Sequence, residues 1–163
     1  MTADLAPSAP HQRVFLVVVD QSPELKVAIR FACRRARATG GRLAMLYVTE
    51  PAEDRHWAAV GELMRAERRA EAEARLQELS REVQNLTGAM PILHVREGHV
   101  RDELLKLLAE DRSISILVLA TDPGPKGPGP LITALSGKYS AKLRLPLTIV
   151  PGTLSDEEID AIS

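Results

Sequence analysis

Six consecutive apolar residues, Val14–Val19, restrict the fold of this chain more than any other feature of its sequence. The run is short, rich in β-branched side chains, and ends at Asp20. A strand that is apolar at every position has both faces covered, which is typical of a parallel sheet with helices on each side. The run therefore predicts a buried strand of an α/β fold.

Four further apolar runs follow, each separated from the one before by a segment with helical character. The first of these segments begins with Ser22-Pro23-Glu24, which predicts a helix start with Ser22 as the N-cap residue, and it ends at Gly40-Gly41. The predicted strands are Val14–Val19, Leu43–Val48, Ile92–Val95, Ile114–Ala120 and Leu147–Val150. This order predicts a doubly wound open sheet of five mainly parallel strands with helices on both faces. We expect the first and fourth strands, which are the most continuous runs, to be neighbours in its centre.

The chain is predicted to hold one domain, over residues 13–151. Residues 1–12 contain two prolines and are expected to form a flexible N-terminal arm. The last helical connection of the domain is expected over residues 131–144. In the tail, residues 152–163, Ser155-Asp156-Glu157-Glu158 is a capping-box pattern that predicts a short terminal helix.

Composition excludes several kinds of partner and site. The net charge is −1 and aromatic residues make up 3% of the chain, so neither a basic surface nor base-stacking platforms for nucleic acid are expected. No apolar run approaches the ~20 residues of a membrane span, and no secretory signal is expected, so the sequence favours a cytoplasmic protein. The spacing of the four histidines predicts no metal site, and Cys33, the single cysteine, is expected to be a buried apolar residue.

The motifs of several enzyme and signalling classes are missing. The chain has no Walker loop, no Gly-x-Gly-x-x-Gly after the first strand and no Gly-x-Ser-x-Gly nucleophile elbow. A phospho-receiver domain needs an acidic cluster after the first strand, where this chain has only Asp20. These classes are therefore excluded.

Four segments in order resemble the universal stress protein (UspA-like) family over most of the chain. They are Val17-Val18-Val19-Asp20, Leu46-Tyr47-Val48, Arg96-Glu97-Gly98, and the stretch from Val118 to Val150 with Pro146 before its last strand. The resemblance implies an adenine nucleotide alpha hydrolase-like fold. It also implies a stress-response or regulatory role and a homodimer formed through the last strand.

Nucleotide-binding members of that family carry Gly-x2-Gly-x9-Gly-[Ser/Thr] after the fourth strand. Glycines there let backbone N–H groups approach phosphates. An ungapped alignment puts at these positions Ala120, Pro123, Thr133 and Ala134. A shifted alignment puts there Gly124, Gly127, Gly137 and Lys138. The first lacks every expected residue, and the second lacks the hydroxyl.

The resemblance implies candidate positions for an adenine nucleotide, ATP or AMP. These are Asp20, Val48, Ala120, Thr121, Gly124, Lys126, Gly127 and Thr133. Asp20 has an equally weighted alternative, which is to cap the following helix. The segment 121–130 is favoured as a stiff connection over an anion loop, because its four prolines supply no N–H donors.

Two functional hypotheses follow. The leading one is a non-enzymatic regulatory protein with no cofactor, which acts as a homodimer through Leu147–Val150 and on an unidentified protein partner. An apolar edge strand favours such pairing because a symmetric copy covers it. The alternative is an ATP- or AMP-binding protein with at most slow hydrolysis.

Overall fold

The computed structural model describes residues 11–51 and 58–163, which form one sheet and the helices around it. The strands are β1 (Val14–Val19), β2 (Arg42–Thr49), β3 (Ile92–Glu97), β4 (Ile116–Ala120) and β5 (Leu147–Val150). The helices are α1 (Leu25–Thr39), α2 (Ala58–Thr87), α3 (Val100–Glu110), α4 (Pro130–Ser136) and α5 (Asp156–Ile162), with a 3-10 helix at Ser140–Lys142.

The sheet has five parallel strands in the order β3-β2-β1-β4-β5. This confirms the predicted doubly wound sheet. All six residues of β1 are buried, as its apolar run predicts. β1 lies beside β4, with Phe15 opposite Ile116 and Val17 opposite Val118. The two most continuous apolar runs are therefore neighbours, as expected.

Helices cover both faces of the sheet. Successive side chains of a strand point to opposite faces, so Phe15 and Val17 of β1 pack with α1 and α2, whereas Leu16 and Val18 pack with α3 and α4. The residues through which α2 joins the first of these layers are Leu76, Leu79 and Val83. The core thus consists of two apolar layers that share β1.

The start of α1 differs from the prediction. The helix begins at Leu25, and the hydroxyl of Ser22 donates to Asp20 Oδ1 at 2.5 Å instead of capping the helix. The N-cap residue is Glu24, whose side chain makes no capping hydrogen bond. The prediction was wrong because Asp20 competes for Ser22 and closes a turn in front of the helix.

The helix in the last connection is also shorter than the one predicted over residues 131–144. α4 ends at Ser136, because Gly137 leaves the helical conformation with φ −112° and ψ −112°. The 3-10 helix follows and a non-helical segment then leads to β5. Glycine is a weak helix former, so the helix ends at Gly137 although the helical spacing of apolar residues continues beyond it.

Two strand boundaries shift by two residues. β3 extends beyond Val95 to Glu97, and β4 begins at Ile116 rather than Ile114. Ser115 precedes β4, and its side-chain oxygen accepts the Val14 N–H at 3.1 Å. The Ser115 N–H donates to the Val14 carbonyl at 2.9 Å, so only the bond from the Val14 N–H goes to a side chain instead of to the backbone.

The tail helix α5 forms as predicted and packs on α1. Both hydrogen bonds of the capping box between Ser155 and Glu158 are present. Ile159 is fully buried, and Arg30 donates to both carboxylate oxygens of Asp160, at 2.9 and 2.8 Å. The tail is therefore fixed to its own chain. The predicted N-terminal arm lies, except for residues 11 and 12, outside the described residues.

Within residues 11–51 and 58–163, no helix combines the length and the apolar character that crossing a membrane requires.

Candidate functional site

A cavity of about 530 Å³ opens at the carboxyl ends of β1 and β4. The chain order of the strands reverses between these two, and ligands of doubly wound sheets bind at this reversal. Its walls are mainly apolar and include Val17, Val19, Leu25, Ala28, Leu119 and Ile132. We call this space the strand-end cavity.

Carboxylates form one part of the cavity rim. Asp20 follows β1, Glu50 follows β2, and Glu24 precedes α1. Asp20 Oδ1 accepts the backbone N–H of Ser22 at 2.9 Å as well as its hydroxyl. Asp20 Oδ2 accepts no hydrogen bond from any described residue. Asp20 therefore lines the cavity, closes a turn with one oxygen and leaves the other without a hydrogen bond to a described residue.

The loop after β4, residues 121–129, forms another part of the rim and uses its polar groups internally. The Asp122 N–H donates to the Pro128 carbonyl at 3.1 Å, and the Gly124 N–H donates to Asp122 Oδ1 at 2.7 Å. The Thr121 hydroxyl accepts the Gly152 N–H at 3.0 Å. These bonds hold the loop and occupy the N–H groups of Asp122 and Gly124, and Lys126 and Gly127, whose N–H groups they leave unused, lie outside the cavity lining.

The part of this connection that faces the cavity is Pro128-Gly129-Pro130. Proline has no N–H, so Gly129 carries the only backbone donor of the three residues. Gly129 has φ +112°, a conformation that side-chain-bearing residues avoid. The rim here is thus a fixed turn made largely of proline rings.

The start of α3 completes the rim with His99, Val100 and Arg101. The Arg101 guanidinium lies over the ring of Tyr139, with Cζ 4.2 Å from the ring centre. Arg101 is therefore a cationic group at a cavity whose rim also carries carboxylates.

The structure brings two of the predicted candidates to the cavity, Asp20 and Ala120. Val48 belongs instead to the apolar layer beside α3. The Thr133 hydroxyl donates to the Gly129 carbonyl at 2.8 Å, within its own helix. The other candidates outside the lining are Thr121, Gly124, Lys126 and Gly127.

Four titratable rim residues were not predicted as site residues, namely Glu24, Glu50, His99 and Arg101. Glu50 follows β2 as Asp20 follows β1, so the rule that identified Asp20 also identifies Glu50. The rim position of Arg101 depends on how the crossover from β3 to β4 carries α3 past the other strand ends. A helix start after Gly98 was the only sequence signal for it.

Other reactive side chains of the described residues lie outside the cavity. Cys33 is fully buried in α1, and burial raises the pKa of its thiol to about 12, so it is not a nucleophile. His94 lies half-buried in β3, where desolvation lowers its pKa. No group of three or more His, Cys, Asp or Glu in the described segments could hold a metal ion.

Comparison with known families identifies the chain. The model of the universal stress protein family matches residues 12–151. The chain belongs to this family. The resemblance carried by the four sequence segments is confirmed. No curated protein matches this universal stress protein in sequence.

Solved structures of universal stress proteins have the same fold. UspA from Lactobacillus plantarum is 16% identical with a TM-score of 0.69, over 87% of this chain and 99% of that one. A protein from Archaeoglobus fulgidus in complex with dAMP is 18% identical with a TM-score of 0.57, over 86% and 98%. A universal stress protein in complex with cAMP is 18% identical with a TM-score of 0.58, over 87% and 98%.

Proposed function

We propose that this universal stress protein is a cytoplasmic stress-response or regulatory protein that acts by association as a homodimer and not by catalysis. The observation that carries the proposal is the proline-rich rim of the strand-end cavity. A triphosphate that is to be hydrolysed needs several converging donors or a metal. Pro128-Gly129-Pro130 offers one backbone N–H, and the loop before it bonds to itself.

The two alignments of the family's glycine motif differ in how many of their positions line the cavity, and this difference also argues against a phosphate cradle. Ala120 and Ala134 of the ungapped alignment line the cavity, whereas Gly124 and Gly127 of the shifted alignment do not. Two of the four ungapped positions and none of the four shifted ones thus line the cavity, which supports the ungapped alignment, with side chains where the motif has glycines. A backbone approach to phosphate is correspondingly hindered.

A turnover assay tests the absence of catalysis. We expect no phosphate release from ATP-Mg²⁺ in proportion to protein concentration. Release that rises with protein concentration and disappears in Asp20→Ala would contradict the proposal, since Asp20 is a rim carboxylate with one oxygen that no described residue bonds.

The proposed dimer surface is β5. This strand lies at the sheet edge, and Ile149 is 43% exposed. The opposite edge, β3, exposes Leu93 to a similar extent but also carries Arg96 and Glu97. Charges on an edge strand discourage pairing, and β5 has none. The β5 edge is therefore better suited than the β3 edge to pair with the same strand of a second copy.

Light scattering on matched edge variants tests this assembly. We expect the wild type and Leu93→Lys to be dimers at micromolar concentration and Ile149→Lys to be a monomer. A monomeric wild type, or a dimer that only Leu93→Lys disrupts, would contradict the proposed surface. Circular dichroism would show that both variants retain the fold.

A second candidate function is adenine-nucleotide binding in the strand-end cavity. It is favoured by the free Oδ2 of Asp20 at a mainly apolar cavity of about 530 Å³. Family members in complex with cAMP and dAMP support the same ligand class. Extraction of the purified protein, followed by chromatography of the extract, tests it. A stoichiometric adenine nucleotide supports binding, and its absence together with no adenosine or AMP binding by calorimetry contradicts it.

A further inference from the structure

We propose that Arg101 is an anion-binding residue of the strand-end cavity and holds the phosphate of a nucleoside monophosphate. The inference rests on the second candidate function, a nucleotide in this cavity. It assigns the phosphate to a side chain at the start of α3 instead of to the backbone after β4.

The first support is the position and bonding of Arg101. It lines the cavity, and its side chain is 40% exposed. Its Nε is buried and has no hydrogen-bond partner among the described residues. The acid beside it is Asp102, which is 3.5 Å away and half-exposed, so this pair is weak. Because the side chain as a whole is 40% exposed and its ion pair is weak, the guanidinium can donate to an anionic oxygen of a ligand.

The second support is the contact with Tyr139. The 4.2 Å approach to the ring centre holds the guanidinium by a cation–π interaction. Guanidinium N–H groups lie in the plane of the group, so stacking on a ring leaves them free to donate. Tyr139 therefore positions Arg101 without consuming its donors.

The third support is the distribution of charge around the cavity. The ammonium groups of Lys138 and Lys142 lie 5.7 and 5.4 Å from the Tyr139 ring centre, and neither forms an ion pair with a described residue. These cations add to the positive potential beside Arg101. The part of the rim formed by the ends of β1 and β2 carries Asp20 and Glu50 instead.

This polarity specifies the chemistry of the ligand. An anionic group is repelled by the carboxylate rim and attracted to Arg101. The carboxylates instead favour hydroxyl or amino groups, which donate hydrogen bonds. A nucleoside monophosphate carries such donors on its base and sugar and one phosphate at its other end, and its apolar base faces suit the cavity wall.

Calorimetric titration with AMP and with adenosine tests the inference. In the wild type we expect AMP to bind at least about tenfold more tightly than adenosine, the usual effect of a charge-assisted hydrogen bond. Arg101→Gln is expected to remove most of that difference and to leave adenosine binding unchanged. Arg101→Lys, which keeps the charge, is expected to retain part of it.

Lys126→Gln is the matched comparison, because Lys126 is the cation of the loop after β4 and lies outside the cavity lining. We expect it to change AMP binding less than about twofold, well below the effect of one charged hydrogen bond. The AMP preference of the wild type should also fall as salt rises, since exposed charges are screened. This salt dependence tests the inference even if an Arg101 variant fails to fold.

The outcomes separate this inference from the function on which it rests. Equal binding of AMP and adenosine, an unchanged preference in Arg101→Gln, or a larger loss in Lys126→Gln overturns the Arg101 site alone. Absence of binding for both ligands overturns the site and the second candidate function together.

Discussion

The loops that follow β1 and β4 meet at the same cavity but are built in different ways. After β1, Asp20 closes a short turn through one carboxylate oxygen and leaves the other unpaired at the rim. After β4, Thr121 and Asp122 use their polar groups to hold the loop, and proline rings face the cavity. The loop after β1 gives a ligand a polar group to bind, whereas the loop after β4 gives it mainly an apolar surface.

This difference shows how a cavity at a strand reversal can persist without a backbone phosphate cradle. Strand order fixes the location of the cavity, because the ends of β1 and β4 are neighbours. The chemistry of the cavity depends on which groups its loops leave unpaired. Here those groups are side chains of Asp20 and Arg101 rather than a row of backbone N–H groups.

The largest expected effect tests whether the loop after β4 is fixed. A Cβ atom added in Gly152→Ala would clash with the Thr121 carbonyl oxygen, which is backbone and cannot rotate away. We expect this variant to lower the free energy of unfolding by about 3 kcal/mol, the upper end of the usual cost of overpacking. Urea denaturation measures the loss.

Gly124→Ala is the control for that variant in the same connection. A Cβ there would approach the Asp122 carboxylate at 3.0 Å, and that side chain can shift. We expect a loss below about 1 kcal/mol, typical of an exposed site. Equal losses in the two variants would show that the loop is not fixed through residues 121 and 152.

The second prediction concerns the turn after β1. Asp20→Ala removes the acceptor of both Ser22 hydrogen bonds, so we expect a loss of about 1–2 kcal/mol in the free energy of unfolding. Asp20→Asn keeps an acceptor oxygen and should recover most of this loss. Chemical denaturation of the wild type, Asp20→Ala and Asp20→Asn measures these differences in the free energy of unfolding. If Asp20→Asn is as unstable as Asp20→Ala, the hydrogen bonds to Ser22 are not what Asp20 contributes.

The smallest expected effect concerns Asp122. Its carboxylate accepts the exposed Gly124 N–H, so Asp122→Ala is expected to lower stability by less than about 1 kcal/mol because water replaces the bond. AMP affinity, measured by calorimetry, should remain within about twofold of the wild type, far less than the loss of a charged contact causes. A tenfold loss of affinity would mean that the loop after β4 does supply ligand contacts.

The sheet could be predicted from the sequence because its strands are continuous apolar runs. Val14–Val19 predicted a strand covered on both faces, and it is the central strand. The ends of the helices were predicted less accurately than the strands. Ser22 has the chemistry of an N-cap, but Asp20 two residues earlier binds it first. The residues that follow 136 have helical spacing, but Gly137 ends the helix.

The cavity could be predicted only in part. Asp20 follows its strand directly, so local sequence places it at the carboxyl edge of the sheet. Arg101 reaches the rim through the path of a crossover, and its contact with Tyr139 joins segments far apart in the chain. Lys126 lies in the expected loop but its side chain is outside the lining. Tertiary packing, not local pattern, decides these two positions.

Titration of the wild-type protein with ATP-Mg²⁺ tests most directly whether the cavity lacks a triphosphate cradle. Losing two or more charged hydrogen bonds at the loop after β4 weakens binding by roughly a hundredfold or more. The account therefore predicts a dissociation constant above about ten micromolar, corresponding to less than ~7 kcal/mol of binding free energy. A dissociation constant below that value, abolished by Asp20→Ala, would show that the strand-end cavity does bind a triphosphate and would contradict the account.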